Sequence, residues 1–565
     1  MLGINNFVIL LLFGLIFFIV EAKKASDIIE NDPENPEVTS PLGKIRGSLM
    51  KTRLGKTIYS FRGIRYGEPP VGPLRFKQAK PVTPWNDTFD ASEEGPSCGW
   101  PKSQFQSEDC LRVNIYTTKL PEADSAPRPV IVFFHPGGFY SVSGQSIFSG
   151  PQYYLDQDIV LVTCNYRLAS LGFISTGDSL APGNIGLKDQ VEVLRFVQKN
   201  IRSFNGDPDC VTITGYSAGG WSVSLHLVSP MSKGLFHRAI SMSGSATYQN
   251  PLPFHQKDLA EKQARLLNCP TDTTSNLLTC LNTKSFEDIV GTLPKFFEWH
   301  GDPILVWLPV IEPDVPGIER FLTEQPIELI KQGKFHDVPY IAGITKDEFG
   351  GAVVAPIEEA RNGSTAIFDD LNANWTTIAP ISFLYERDTS RSLEISQELK
   401  HFYLHDQPAG PDNYKGVAEL YADGVIGFSV HRLVNLLAKY STKPVYYYQF
   451  SYQGRYSHVT WADKKPYGVV HHDDLLYLFY VSFFPYFEAD APEIPTVRRM
   501  TSMWANFART GEPIPVGNDD FLNVTWMPFT RENQAYLEIN DNLVIKHNLN
   551  SDRMNEWEKL FFIDY

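Results

Sequence analysis

One hexapeptide, Gly215-Tyr216-Ser217-Ala218-Gly219-Gly220, combines residue types and spacing that could do chemistry. It follows the β-branched run VTIT and precedes WSVSLHLV, which can form a helix. In a strand–turn–helix setting a G-x-S-x-G turn forces the serine onto strained backbone and lifts its hydroxyl clear of the sheet; small neighbours let the chain bend without clashes. The Ala218 N–H, at the start of the following helix, can then point at a developing oxyanion. Five residues alone recur by chance on surface turns, and the flanking strand and helix give this match its weight. A serine hydroxyl needs a base to take its proton, and the base needs an acid to orient it. Downstream, Asp347 and Glu348 follow the apolar run YIAGI, and His471 and His472 precede LLYLFYV. On the residues alone both pairs stay open.

A second element of the same chemistry lies upstream. His135-Pro136-Gly137-Gly138-Phe139 closes the run VIVFFH. Two glycines after a buried strand bring backbone N–H groups close to a substrate oxygen. Gly137 and Gly138 can donate there, whereas Pro136 has no N–H and a fixed φ. The cluster His471-His472-Asp473-Asp474 admits a metal reading, but adjacent side chains rarely converge on one ion without partners elsewhere. No metal and no cofactor is expected.

These residues need elements to hold them. Val130–His135, Ile159–Asn165 and Val211–Gly215 are short runs apolar on both faces, as in strands buried within a parallel sheet. Ala239–Ser243, Tyr340–Ile344 and the aromatic-rich Val445–Tyr452 fit the same class. Between them, Leu187, Val191, Leu194, Ile201 and Phe204 recur at three-, four- and seven-residue steps and predict one apolar helical stripe. Strands alternating with helices predict an α/β fold, a large mostly parallel sheet with helices on both faces. In such sheets functional residues stand beyond the carboxyl ends of the strands.

The chain has 565 residues, a formal charge of −15 and 43% hydrophobic residues. That composition excludes collagenous, low-complexity and fully disordered classes. Acidity without basic blocks speaks against nucleic acid as a partner. Phe7–Val20 is fourteen apolar residues, short for a spanning helix and suited to a signal-peptide core, with Val20 and Ala22 small before a cleavage point. Residues 1–22 are therefore expected to be a signal peptide, with an uncleaved anchor as the alternative. Residues 23–41 are expected to form a loose acidic arm, and 42–565 a single catalytic domain. The mature protein is expected to be secreted without stable membrane insertion. Four sequons, at Asn86, Asn362, Asn374 and Asn523, agree with export. Nothing in the sequence fixes an oligomeric state.

Taken together, these motifs resemble the type-B carboxylesterase/cholinesterase family of α/β-hydrolases, and most closely its insect branch. The likeness runs through FRGIRYGEPPVGPLRF, SEDCLRVNIY, HPGGFYS, NYRLASLGF, GNIGLKDQ, GYSAGG, ITKDEFG, GVVHHDDLLYLF and MWANFARTGEPIP, nearly the whole mature chain. The resemblance implies that Ser217 is the nucleophile, Glu348 the acid and His471 the base, with Gly137, Gly138 and Ala218 as oxyanion donors. Ser243 and Asp474 match positions that hydrogen-bond around the base, although capping of a helix start is an equal role for Asp474. Cys98 with Cys110, and Cys269 with Cys280, match disulfides of the family and have the spacing of short-loop bridges. Cys164 and Cys210 are left free, in or beside core strands.

Two departures bear on specificity. Relatives usually carry Glu before the nucleophile where this chain has Tyr216, so a negative charge that would help hold a cationic ester is missing. The Cys98–Cys110 loop is short, and its Trp100 is more easily read as packing than as a cation cage. A neutral, lipophilic small-molecule ester is the expected substrate. A catalytically silent adhesion or ligand-binding member of the fold is the alternative, since Pro136 and Tyr216 both flank the chemistry.

Overall fold

The computed structural model describes residues 35–101, 103–122, 126–515 and 524–565. The expected signal peptide and Asn523 lie outside these residues. Seven parallel strands form the centre of an eleven-stranded sheet: β1 (Arg128–Phe134), β2 (Val160–Cys164), β3 (Gly206–Tyr216), β4 (Arg238–Met242), β5 (Tyr340–Thr345), β6 (Val445–Phe450) and β7 (Ala535–Ile539). Their spatial order is β2-β1-β3-β4-β5-β6-β7. Antiparallel strands extend the sheet at both edges: Leu543–His547 on β7, and Arg112–Thr117 with Thr57–Arg65 and Ser48–Lys51 beyond β2.

The apolar character of these strands on both faces has a direct structural cause. Along β1, Val130, Val132 and Phe134 enter one core, while Ile131 and Phe133 enter the other. The first core is covered by helices α1 (Ile185–Asn200), α2 (Ala218–Val228) and α3 (Phe428–Tyr440), and the second by α4 (Ile494–Thr510). The predicted stripe is buried throughout, although its last two members, Ile201 and Phe204, belong to a separate 3-10 turn after α1. Between α1 and the loop after β2, Arg167 and Asp189 form a buried two-point ion pair at 2.8 and 2.6 Å. Lys188 pairs with the equally buried Glu312 at 2.6 Å.

Strand β6 ends at Phe450, two residues short of the predicted run, because Ser451 and Tyr452 both donate to the single carbonyl of Ile539. The expected loose arm also needs correction at its end. Glu37–Ser40 is a strand paired with Gly43–Arg46, and Val38 is buried beneath it. One alternating apolar position and a tight turn at Pro41-Leu42 suffice to order it.

The chain passes from β1 outward to β2 and then crosses back to β3 on the other side of β1. The strand order therefore reverses between β1 and β3, the place where α/β sheets open a crevice beyond their carboxyl ends. The HPGG loop leaves β1 there, and Ser217 leaves β3. Phe134 pairs with Gly215, which sets the two loops side by side.

Disulfides join Cys98 to Cys110 and Cys269 to Cys280. Cys164 is a free, buried thiol, and burial pushes its pKa up. Cys210 is only half-buried, with its sulfur 3.3 Å from both the Ala508 carbonyl and the Arg238 guanidinium. No helix among the described residues is long and apolar enough to cross a membrane.

Candidate active site

Ser217 sits at φ 55° and ψ −120°, a conformation that side-chain-bearing residues rarely adopt. It is held on both sides: its N–H donates to Met242 at 2.9 Å, and its carbonyl accepts from Trp221 at 2.8 Å. Helix α2 starts at the next residue and packs tightly against the ends of β1 and β3. A side chain on Gly219 would collide with the Phe134 and His135 carbonyls, so glycine there is a packing requirement.

Glu348 follows β5, as the order of motifs requires. Its Oε1 accepts from the Thr345 N–H and the Ser243 hydroxyl, each at 2.7 Å, and its Oε2 lies 2.6 Å from His471 Nδ1. The His471 N–H donates to the Glu348 carbonyl at 2.9 Å. The other ring nitrogen, Nε2, is buried with no protein partner, and His471 and Ser217 line the same pocket. The two open pairs separate on geometry. Asp347 accepts from the Val469 N–H at 2.8 Å and so ties the loop down, while His472 Nε2 is buried without a hydrogen-bond partner. Burial, with His471 and His458 nearby, holds the His472 imidazole far below its ordinary pKa.

The remaining predicted residues lie close by. Ser243 touches the acid rather than the base. Asp474 is fully buried and accepts from the Tyr448 hydroxyl at 3.1 Å; burial, then the neighbouring Glu348 charge, pushes its carboxyl up to about 8. Gly137 and Gly138 have φ of 118° and 59°, open to glycine and strained for other residues. The Gly137 carbonyl accepts from the Tyr140 and Ser141 N–H groups and the Ser141 hydroxyl, which turns the loop so that Gly137 and Gly138 border the pocket. Pro136 stiffens the corner: its carbonyl accepts from His135 Nδ1 at 2.7 Å, and the His135 ring stacks on Tyr166 at 4.3 Å. Burial lowers the His135 pKa to about 4, so this imidazole stays neutral.

Sequence reasoning missed most of the pocket wall. Phe349 stacks on the His471 ring with centroids 4.1 Å apart, and it adjoins the acid in the chain. Trp221, Tyr248, Ile304, Val425 and Ile426 complete a mainly apolar lining. Val425 and Ile426 stand on a π-helical turn, Asp423–Gly427, just before α3. No motif marks them, because tertiary packing alone brings that turn over the sheet. The pocket holds about 580 Å³ including its open mouth. It shares Ile304, Phe349 and Val425 with an adjoining, mainly apolar cavity.

Tyr216 is not part of this wall. Its side chain is fully buried beneath the histidine turn, so its presence does not act by direct contact with substrate. Trp100 packs edge-on against Phe148 at 6.1 Å and likewise does not line the pocket. Among the described residues no group of three or more His, Cys, Asp or Glu is placed to hold a metal ion. Asn86, Asn362 and Asn374 are exposed.

The sheet order and the crevice at its reversal define the α/β-hydrolase fold. The profile of the Carboxylesterase family matches residues 34–557, and the chain belongs to that family. It is 37% identical to esterase FE4 of Myzus persicae over 87% of each chain. It is 34% identical to juvenile hormone esterase of Tribolium castaneum, covering 92% of this chain and 90% of that one. The crystal structure of juvenile hormone esterase from Manduca sexta, with OTFP covalently attached, superposes with a TM-score of 0.81 at 28% identity. That match covers 94% of this chain and all of the other. The protein is a carboxylic ester hydrolase.

Proposed function

We propose that the protein is an exported serine esterase that hydrolyses neutral, lipophilic esters through an acyl-enzyme on Ser217. One observation carries the mechanism. His471 is bound through Nδ1 to Glu348 at 2.6 Å, and its Nε2 is left free in the pocket that Ser217 enters. Glu348 fixes the tautomer with the proton on Nδ1, so Nε2 is the basic nitrogen. It takes the Ser217 proton as the hydroxyl oxygen attacks the ester carbonyl. The N–H groups of Gly137, Gly138 and Ala218 receive the oxyanion, each such donor stabilising it by about 3–4 kcal/mol. Collapse breaks the C–O bond, and the alcohol leaves with the proton from Nε2. Water then repeats the sequence on the acyl-enzyme and releases the acid.

The apolar pocket wall and its adjoining cavity support a lipophilic substrate. Two relatives are named juvenile hormone esterases, and a lipophilic insect ester of that kind belongs to the same class. Two disulfides, three exposed sequons and the apolar run at Phe7–Val20 support export and glycosylation. The test is hydrolysis of p-nitrophenyl acetate together with labelling by an organophosphate. Ser217→Ala should abolish both. A wild-type protein that neither turns over nor becomes labelled at Ser217 would refute the mechanism.

A further inference from the structure

Tyr216 precedes the nucleophile, yet it is spent on the base. Its side chain is wholly buried in the second core, which also holds Met242 and Leu475, and does not line the pocket. Its hydroxyl oxygen accepts the His472 backbone N–H at 2.8 Å. Its ring meets the His471 ring edge-on and the His472 ring at a tilt, with both centroids 5.0 Å away. The turn it supports needs support, since His472 has φ 81°, left-handed backbone that is unfavourable for a residue with a side chain. Two successive peptide N–H groups therefore tie the turn to separate elements: His471 to Glu348 after β5, and His472 to Tyr216 at the end of β3.

We propose that Tyr216 is a positioning residue, whose phenol fixes the His471–His472 turn and so holds the imidazole in register with Ser217 and Glu348. The inference rests on the serine-esterase reading above and assigns to this site a part that reading does not contain. A phenol suits the place because the surroundings already carry acids. Ser243, Asp474 and Glu348 all lie close enough to the Tyr216 hydroxyl to act on its ionisation. Behind the turn, His472 faces His458, which binds Asp473 at 3.0 Å. A carboxylate in this buried space would place a second negative charge beside Glu348, whereas a neutral phenol accepts the same N–H without adding charge. In this arrangement Tyr216 bears on the rate of proton transfer, not on the affinity for a cation.

Tyr216→Phe keeps the ring and removes only the hydroxyl. Tyr385→Phe, which removes a buried phenol bonded to Ser396 and not part of the pocket lining, measures the general cost of such a loss. On a p-nitrophenyl ester, Tyr216→Phe should lower kcat by about 10- to 100-fold with KM within about twofold, the range for a small misplacement of a catalytic group. The acid limb of kcat/KM should move to lower pH, because a displaced imidazolium loses part of its Glu348 contact. Tyr385→Phe should leave kcat and the limb unchanged. Unaltered kcat and pH profile in Tyr216→Phe, or a loss confined to KM, would overturn the proposal. Should Tyr216→Phe not fold, Tyr216→Glu decides. It restores an acceptor for His472 while adding charge, so the acid limb should move to higher pH, and a limb that stays put overturns the proposal. An inactive, unlabelled wild-type enzyme would be the separate failure of the serine-esterase reading.

Discussion

In the proposed mechanism Ser217, Glu348 and His471 divide one proton transfer among three side chains, and each can be disabled separately. Glu348→Gln keeps the size of the group but presents an amide to Nδ1 and favours the wrong tautomer. We expect kcat to fall by about 10³–10⁴-fold with the fold intact, measured by steady-state kinetics beside a thermal melt. Asp474 offers a prediction in pH. Its carboxyl, buried against Glu348, titrates near 8 in the folded state and near 4 when unfolded. It gains a proton on folding, so its contribution to stability is complete below pH ~4 and is lost as the pH climbs through 8. In that window stability falls by about 1.4 kcal/mol per pH unit from this group. Asp474→Asn should flatten the decline of the melting temperature between pH 5 and 8, and an unchanged slope would refute the assignment. At this scale the sequence was legible for the nucleophile, whose motif is local. For the acid and base the residues alone left Asp347 against Glu348 and His471 against His472. Which member of each pair turns inward depends on backbone contacts that no short motif encodes.

Elements explain why those side chains meet. Strands β1, β3, β4 and β5 are adjacent and parallel, so their carboxyl ends deliver the HPGG loop, Ser217, Ser243 and Glu348 to one edge of the sheet. This much the apolar runs foretold, because a strand buried on both faces must be apolar throughout. The pocket roof was not foretold. Val425 and Ile426 enter from a π-helical turn whose position over the sheet depends on the packing of α3. The same dependence on distant packing applies to the Arg167–Asp189 pair, which fastens α1 to the loop after β2. Both charges are buried, so Asp189→Asn leaves a guanidinium without its counter-charge. Destabilisation by about 3–5 kcal/mol is expected in urea melts, and a loss below 1 kcal/mol would mean that water reaches the site.

For the whole molecule, residues as far apart as Gly137 and His471, 334 positions along the chain, must fold together before any site exists. The candidate pocket opens onto a neighbouring cavity, and both are lined mainly by apolar side chains. Each methylene buried there contributes about 0.8 kcal/mol, close to fourfold in affinity. Among p-nitrophenyl esters, kcat/KM should therefore rise from acetate to hexanoate by severalfold per carbon, and a profile that falls from acetate onward would contradict a lipophilic substrate. A choline ester should be hydrolysed less efficiently than a neutral ester with the same acyl group. Among the described residues, no aromatic side chain of the Cys98–Cys110 loop lines the pocket to receive its ammonium.

The backbone of Ser217 has a consequence for evolution as well as for chemistry. At φ 55° and ψ −120° the fold works against its own stability at the residue that the proposed reaction needs most. Glycine would relax there, so Ser217→Gly should melt above the wild type while hydrolysing nothing. Selection for robustness and selection for turnover then pull this position in opposite directions. A lineage that ceased to need the reaction could gain stability by losing it in a single substitution.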